Sequence, residues 1–306
     1  IMKIVGLKVG QHYDRNNIDQ LRYGHIMIMA DQDHDGSHIK GLLINLIHYF
    51  WPSLFRIPGF LNQFITPIVK AKPNKGNEPT RNFFSVPDFL AWKKSVPPAE
   101  LKKRYTIKYY KGLGTSTAAE GREYFTNIDR HRIDFIRETQ EDEDRVVMAF
   151  AKDKVEDRKR WITDFRNDDN AVTVNFNVRQ MPYRDFINQE LILFSVADCE
   201  RSIPSIVDGL KPGQRKILFG CFKRNLVKAI KVAQLAGYVS EHAAYHHGEQ
   251  ALTQTIIALA QDYVGANNLP LLVGDGQFGT RLQGGKDHSS ARYIFTYLQK
   301  VTRLIY

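Results

Sequence analysis

Three aspartates at alternate positions, Asp31, Asp33 and Asp35, follow a short apolar run and precede a glycine. If the backbone is extended here, a spacing of two turns all three carboxylates toward one side. Carboxylates held so close repel one another unless a cation lies among them, and a hard ion such as Mg²⁺ prefers oxygen ligands. The pattern therefore predicts a divalent metal site, although a solvated acidic turn has a similar composition.

The same triplet matches the first half of a calcium-binding EF-hand loop. An EF-hand loop has a glutamate at its twelfth position, which here is Leu42. It also follows a helix, whereas residues 25–30 are typical of a buried strand. The sequence therefore argues against an EF-hand.

The elements on either side of the triplet are predicted to be a strand and a helix. After the aspartates, apolar residues recur every three or four positions and form one helix face that stops before Pro52. These residues are Ile39, Leu42, Leu43, Leu46, Ile47 and Phe50. Functional sites of open α/β sheets gather at the carboxyl ends of strands, and a strand-loop-helix unit would present the aspartates at such an end.

The remainder of the first half predicts an α/β domain followed by charged helices. Strands are expected over residues 60–72, 83–86 and 105–110, with a short helix over 88–94. Strands that alternate with helices argue for an α/β domain. Residues 118–169 are dominated by charge and predict amphipathic surface helices that act as a connector.

A second motif, Lys111-Gly112-Leu113-Gly114, could bring backbone amides and a cation close to a phosphate. Alone it is weak evidence, because a plain strand-to-helix turn has the same composition. The motif therefore predicts a phosphate contact only if another feature places a phosphate nearby.

A basic helix start lies in the second half of the chain. Gly209 and Pro212 indicate a tight turn between helices, with the proline in the first turn of the second helix. Lys211, Arg215 and Lys216 lie at that helix start, where cations and free amides can hold phosphate oxygens. A helix-turn-helix with a basic second helix is typical of DNA binding, and a helical hairpin with a solvated basic face is the alternative.

Two further features are ambiguous. His246 and His247 precede a helix predicted over residues 248–264, where a histidine is usually a cap but could act near a phosphate as acid, base or donor. Residues 274–279 fit Gly-x-Gly-x-x-Gly, yet no strand-then-helix frame with a downstream acidic residue surrounds them. A dinucleotide site is therefore excluded.

A tyrosine beside an arginine, Arg292-Tyr293, follows a glycine-rich basic loop that contains Arg281 and Lys286. By itself this is unremarkable, because most such tyrosines are packed or simply exposed. Only a match of the whole segment to a known pattern would give Tyr293 a chemical role.

Composition sets broad limits. The chain of 306 residues is long enough for two domains with real cores. A net charge of +10 and a pI near 9.4 favour a polyanionic partner without proving one. Cys199 and Cys221 have neither zinc-ligand nor disulfide-framework spacing, so a reducing intracellular compartment is expected. No apolar run approaches the roughly 18 residues that span a bilayer.

Three segments together resemble the type IIA DNA topoisomerases. Residues 23–45 are similar to the metal motif of that family's Toprim domain, 109–117 to the end of the same domain, and 275–296 to the segment that holds the catalytic tyrosine. Residues 287–291, Asp-His-Ser-Ser-Ala, depart from the usual Asp-Ala-Ala-Ser-Pro. The resemblance implies an α/β plus mainly α architecture: a Rossmann-like Toprim α/β domain over residues 1–138, a charged helical connector over 139–180 and a winged-helix (helix-turn-helix) domain over 181–306.

The resemblance also implies roles for individual residues. Tyr293 is expected to be the nucleophile and Arg292 its transition-state partner, with His247 as an additional catalytic candidate. The expected Mg²⁺ ligands are Asp31, Asp33 and Asp35. The residues expected to bind DNA are Lys111, Lys211, Arg215, Lys216, Arg281 and Lys286.

The implied activity is cleavage of both DNA strands through a 5′-phosphotyrosyl intermediate, assisted by Mg²⁺, followed by strand passage and religation. The tyrosine of one protomer is expected to work with the metal site of the other, which implies a homodimer on double-stranded DNA. Both domains lie on one chain, which matches the eukaryotic members and a nuclear location, or large DNA viruses and the cytoplasm. A further metal-binding glutamate and an ATP-hydrolysing domain are expected upstream of Ile1.

Two other classes of protein remain open. One is a non-catalytic winged-helix DNA-binding protein with a degenerate Toprim domain, which would form no covalent adduct. The other is a metal-dependent phosphodiesterase that uses water, in which the tyrosine would be dispensable. Both predict salt-sensitive DNA affinity, so binding alone does not separate them from a topoisomerase.

Overall fold

A computed structural model gives the fold as two compact units, Ile1–Ala197 and Asp198–Tyr306. The residues that the structure describes are 1–76, 78–110, 112–168, 171–172, 174–245 and 248–306. Within these ranges, no helix is long and apolar enough to cross a membrane.

The first unit is a mixture of strands and helices, as the sequence predicted. Its strands are β1 (Ile26–Met29), β2 (Leu61–Phe64), β3 (Val69–Pro73), β4 (Arg81–Phe83), β5 (Tyr105–Tyr109), β6 (Arg132–Ile136) and β7 (Gln180–Pro182). Its helices are α1 (Met2–Val5), α2 (His34–Phe50), α3 (Pro52–Phe55), α4 (Val86–Ser95), α5 (Pro98–Arg104), α6 (Ala118–Thr126), α7 (Ile128–His131), α8 (Gln140–Phe150), α9 (Val155–Asn167) and α10 (Tyr183–Asp185). A π-helix (Phe186–Leu191) then leads into α11 (Ile192–Ser202), which continues past the division between the units.

The main sheet of the first unit has the strand order β1-β2-β6-β7. β1 pairs with β2 and β6 pairs with β7 in parallel, whereas β2 pairs with β6 antiparallel. A second sheet has the order β4-β3-β5 and is antiparallel throughout. The predicted strand over residues 25–30 and the helix that stops before Pro52 are both confirmed, as β1 and α2.

The charged segment that was predicted as a connector lies inside the first unit. Val146 of α8 is fully buried, and Tyr183 stacks on Phe55 with ring centroids 3.8 Å apart. The predicted boundaries at 138/139 and 180/181 therefore do not coincide with the observed division at 197/198, because this segment contributes to the same hydrophobic core.

The segment 118–169 also contains β6, so the prediction that it is entirely helical is wrong. In β6 the buried Ile133 and Phe135 alternate with Arg132 and Asp134, which form an ion pair with each other at 2.6 Å. Five alternating residues inside a highly charged stretch are a weak strand signal. The strand is specified by its pairing with β2 and β7.

The second unit is built from helices and a small antiparallel sheet. Its elements are α12 (Pro212–Lys223), β8 (Ile230–Lys231), α13 (Val232–His242), α14 (Glu249–Ala260), β9 (Leu272–Asp275), β10 (Phe295–Leu298) and α15 (Thr302–Ile305). The three helices α12, α13 and α14 share a core that includes Ile217, Leu235 and Ile256, and the sheet order is β8-β10-β9. The helix predicted over 248–264 ends earlier, because Gln261 turns to an extended conformation.

Candidate functional site

The acidic loop between β1 and α2 differs from its predicted geometry. Asp31 and Asp33 are exposed, Asp33 is the N-cap of α2, and Asp35 is in the first turn of that helix. The argument that one extended strand presents Asp31, Asp33 and Asp35 to the same side is therefore wrong. Among the described residues, no three His, Cys, Asp or Glu side chains are grouped as a metal site.

The loop is held in shape by its own backbone. Oδ1 of Asp33 accepts a hydrogen bond of 2.7 Å from the N–H of Gly36. A Cβ atom at Gly36 would lie only 1.9 Å from the carbonyl oxygen of Asp31, so this turn requires glycine. The loop thus folds back over the start of α2, and the N-cap fixes one carboxylate.

The glycine motif after β5 lies directly against the acidic loop. The N–H of Leu113 donates to Oδ1 of Asp31 at 2.7 Å. A Cβ atom at Gly112 would lie 2.7 Å from Cγ of Asp31, so only a residue without a side chain allows this approach. The structure therefore brings together two motifs that the sequence suggested separately. Lys111, the cation of that motif, lies outside the described residues.

A polar network behind this loop fixes the end of β5 to the start of α6. Glu120 accepts hydrogen bonds from the hydroxyl of Tyr110, from Lys108 Nζ at 3.1 Å and from the N–H of Thr117 at 2.8 Å. Burial opposes the ionisation of Glu120, but these hydrogen bonds outweigh it and lower its pKa to about 2. Burial and the neighbouring Glu120 raise the pKa of Tyr110. The sequence reasoning missed this network.

The donor chemistry of the acidic loop suits a hard cation. Asp31 and Asp33 each offer carboxylate oxygens to solvent, and in each one Oδ1 is oriented by a backbone amide. Oxygen ligands oriented by further hydrogen bonds are typical of Mg²⁺ sites. Magnesium thus fits the residue types at this loop.

The basic helix start divides into two kinds of side chain. Arg215 binds the carboxylate of Asp208 through two hydrogen bonds of 2.8 Å, which lower the pKa of Asp208 and raise that of Arg215. Lys216 Nζ donates to the carbonyl of Ala244 at 2.8 Å, and Lys211 is exposed at the N-cap. Lys211 and Lys216 line one cavity of about 700 Å³, together with Arg201, Ser202, Pro212, Gly213, Gln214, Tyr245, Ala251, Gln254, Thr255 and Ala258.

Tyr293 lies on a short segment whose backbone is fixed at both ends. The N–H groups of Ala233 and Val232 donate to the carbonyls of Ala291 and Ile294 at 3.1 and 3.0 Å. The tyrosine side chain is 70% exposed, and the guanidinium carbon of Arg292 lies 5.9 Å from its ring centroid. A fixed backbone and an exposed phenol beside a cation can present a nucleophile to a bulky anionic substrate.

The glycine-rich loop before this segment is closed by an aspartate. Asp287 accepts hydrogen bonds of 2.8 Å from both the N–H and the hydroxyl of Thr280, which lower its pKa. Arg281 and Lys286 are exposed between these two residues. Gln261 Nε2 donates to the carbonyl of Phe278 at 2.8 Å, a contact that no local sequence signal indicates. His246 and His247 lie outside the described residues.

Comparison with known families divides the chain at nearly the same place as the structure. Residues 64–199 match the family model described as "C-terminal associated domain of TOPRIM". Residues 201–306 match the family model for one of the subunits of "DNA gyrase/topoisomerase IV". The second match begins within a few residues of the second compact unit.

Whole-chain relatives agree with these matches. The chain is 54% identical over 306 residues to "Probable DNA topoisomerase 2" of Dictyostelium discoideum, 56% over 309 residues to "DNA topoisomerase 2" of Arabidopsis thaliana and 55% over 316 residues to human "DNA topoisomerase 2-beta". Each match covers 100% of this chain and 19%, 20% and 19% of the relative, so the chain spans about a fifth of their length.

A solved structure gives the same result for the fold. The crystal structure of the Plasmodium falciparum topoisomerase II DNA-binding, cleavage and re-ligation domain matches with a TM-score of 0.77 and 51% identity. The match covers 99% of this chain and 40% of that one. The chain therefore belongs to the type IIA DNA topoisomerase family, as a relative of the eukaryotic DNA topoisomerase 2 proteins.

Proposed function

We propose that this chain forms part of the DNA cleavage core of a eukaryotic-type DNA topoisomerase II, in which Tyr293 breaks and rejoins duplex DNA. The observation that carries the proposal is the tyrosine itself. Its phenol is 70% exposed beside Arg292, while backbone hydrogen bonds fix its segment. In this proposal the first unit is part of a Toprim domain with adjoining elements, and the second is a winged-helix domain.

The proposed reaction exchanges one phosphodiester for another. Tyr293 loses its proton as its oxygen bonds to phosphorus, the bond from phosphorus to the 3′ oxygen breaks, and that oxygen takes up a proton. The products are a 5′-phosphotyrosyl linkage and a free 3′ hydroxyl, and the reverse step religates the strand without added energy. Arg292 would stabilise the negative charge on the non-bridging phosphoryl oxygens.

Magnesium enters the proposal through the acidic loop. Asp31, Asp33 and Asp35 would hold Mg²⁺, which when bound supplies Lewis-acid stabilisation to a phosphate oxygen. The Leu113 amide orients Asp31 and the Gly36 amide orients Asp33. This chain's own contribution is thus to orient two carboxylates before an ion arrives.

DNA binding is assigned to exposed cations on both units. Lys211, Arg281 and Lys286 would contact phosphates directly. Lys216 would do so after it releases the carbonyl of Ala244, and Arg215 after it releases Asp208. Lys111 as a DNA contact and His247 as a catalytic group remain predictions. A homodimer, nuclear location, and strand passage driven by ATP bound elsewhere in the protein complete the proposal.

Covalent trapping tests the function. A protein that contains this chain and the flanking segments present in its relatives is incubated with supercoiled plasmid and Mg²⁺ and quenched with detergent. The DNA-linked peptide is then identified by mass spectrometry. We expect a phosphotyrosyl adduct at Tyr293 that Tyr293→Phe abolishes and Asp33→Ala strongly reduces.

Tyr297→Phe is the matched control, because this half-buried tyrosine lies four residues further along, in β10. It should form the adduct at the normal level. Cleaved DNA without an attached peptide would instead indicate hydrolysis by water. Binding without any cleavage would indicate a non-catalytic DNA-binding protein.

A further inference from the structure

A buried ionic network lies behind the acidic loop. Lys40 of α2 is 1% exposed and Glu190 of the π-helix is 4% exposed. The ammonium group of Lys40 binds Oε1 of Glu190 and also donates to Oε1 of Gln63, in β2, at 2.8 Å. One buried cation thus joins a helix, a strand and a π-helix that are distant in the sequence.

Ser37 connects this network to the acidic loop. Its hydroxyl donates to Oε1 of Glu190 at 2.9 Å, and its N–H donates to the carbonyl oxygen of Asp33 at 3.1 Å. The carboxylate of Asp33 in turn accepts the N–H of Gly36. The position of Asp33 is therefore coupled through one side chain to Glu190.

Stability alone does not account for this arrangement. Replacing a buried ion pair by apolar residues of similar volume is often neutral or stabilising. Oε2 of Glu190 is buried and has no hydrogen-bond partner among the described residues, which adds an uncompensated desolvation cost. Glu190 also lies in a π-helix, a feature found mostly at functional sites. These costs indicate that the network has a positional role.

Building on the proposed function, we infer that Glu190 is a positioning residue for DNA cleavage. With Lys40 it fixes Ser37 in the first turn of α2, and Ser37 holds the backbone of Asp33 so that its carboxylate points consistently toward a bound cation. Glu190 itself contacts neither DNA nor the cation in this role. Its effect should appear as local order in the acidic loop and as metal affinity.

The sharpest test is Ser37→Ala, because it removes the link and leaves the buried ion pair intact. Amide hydrogen exchange without metal should be at least about 10-fold faster at residues 36 and 37, while Ile44 and Ile47 of the same helix stay protected. Binding of Mn²⁺, followed by electron paramagnetic resonance, should weaken about 10- to 100-fold. Ser37→Thr, which keeps a hydroxyl, should restore both properties.

Ser195→Ala is the matched control, because the Ser195 hydroxyl bonds only the carbonyl of Leu191 in its own helical turn, at 3.2 Å. It should leave exchange at residues 36 and 37 and Mn²⁺ affinity unchanged. A second variant, Lys40→Met with Glu190→Leu, removes both buried charges. We expect it to keep a near-normal melting temperature but to show the same fast exchange and weak Mn²⁺ binding as Ser37→Ala.

Unchanged exchange in Ser37→Ala, or normal exchange and Mn²⁺ affinity in the apolar pair, would overturn the inference, since the network would then only stabilise the fold. If the wild-type protein fails to bind Mn²⁺, the proposed metal role of Asp33 is wrong. The exchange data would still decide whether Glu190 orders the loop.

Discussion

The backbone N–H of Leu113 donates a hydrogen bond of 2.7 Å to Oδ1 of Asp31, a residue 82 positions earlier in the chain. The contact joins the acidic loop after β1 to the glycine loop after β5. Because the donor is a main-chain group, its position depends on the backbone path, and Gly112 makes that path possible. Metal-binding carboxylates are typically oriented by such a hydrogen bond before the ion arrives.

We therefore expect Gly112→Ala to impair DNA cleavage with little change in stability. The new Cβ would lie 2.7 Å from Cγ and Oδ2 of Asp31, so the flexible carboxylate must turn away. The backbone of Gly112 is extended, so alanine adds no conformational strain there. Cleavage should fall about 10-fold or more, with a higher Mg²⁺ requirement, in plasmid assays over a range of Mg²⁺ concentrations.

Gly114→Ala is the control for this variant, because a Cβ atom at Gly114 meets nothing within 4 Å. It should cleave DNA normally. Equal activity of the two variants would show that the contact between Asp31 and Leu113 is unimportant for cleavage.

Local signals predicted the elements of this site, whereas its contacts required the tertiary structure. The apolar run before Asp31 and the helical spacing that ends before Pro52 specify β1 and α2 without help from the rest of the chain. The contact between Asp31 and Leu113 is not encoded locally, and Asp33 is a helix cap because α2 begins five residues earlier than its first apolar position, Ile39. Glu190 was missed for a related reason: its partners come from other elements.

Arg215 shows the same limit from the side of charge. A count of cations gives it the same weight as Lys211, yet its guanidinium is already paired with Asp208. We expect Arg215→Ala to weaken duplex-DNA affinity less than Lys211→Ala. Each phosphate contact contributes about one unit to the slope of log K against log [salt]. Lys211→Ala should therefore reduce the slope by about 1 and Arg215→Ala by much less.

Asp208→Asn provides the internal check for that comparison, which is measured by fluorescence anisotropy at several salt concentrations. It removes the charge that neutralises Arg215, so affinity for DNA should rise and become more sensitive to salt. If Arg215→Ala instead lowers the slope as much as Lys211→Ala, the pair must open when DNA binds.

The network around Glu120 predicts acid sensitivity of the first unit. Hydrogen bonds from Thr117, Tyr110 and Lys108 lower the pKa of Glu120 from 4.5 to about 2 in the folded state, against the effect of burial. A carboxyl whose folded pKa is depressed stabilises the fold above its unfolded pKa and loses that contribution as pH falls through the folded value. Between pH 4.5 and about 2, Glu120 should lose on the order of 1 to 2 kcal/mol.

The measurement is chemical denaturation of wild type and Glu120→Gln at pH 7 and at about pH 3.5. The variant should be less stable at pH 7, and the difference should shrink in acid. Glu156→Gln is the control, because Glu156 forms only an exposed pair with Lys159. A stability difference for Glu120→Gln that does not depend on pH would exclude this carboxylate as a source of the acid sensitivity.

The loop that carries Arg281 and Lys286 offers a test in which backbone strain is matched. Gly279 and Gly284 both have positive φ, at 96° and 58°, so alanine costs conformational energy at either position. The space around them differs. A Cβ atom at Gly279 would lie 2.5 Å from the carbonyl oxygen of Gly285, whereas at Gly284 it would meet nothing within 4 Å.

We expect Gly279→Ala to destabilise the second unit by about 2 to 3 kcal/mol and Gly284→Ala by about 1 kcal/mol or less. The clash at Gly279 involves backbone atoms that the hydrogen bond from Gly285 to Thr280 holds in place, so no side chain can move to relieve it. Thermal denaturation measures the stabilities, and covalent trapping at Tyr293 measures cleavage. Because the loop packs next to the tyrosine segment through the Ser289 to Gln277 backbone hydrogen bond of 2.9 Å, cleavage should fall more for Gly279→Ala. Equal stability losses would mean that the loop is free to open, and Arg281 and Lys286 would then be ordered only by DNA.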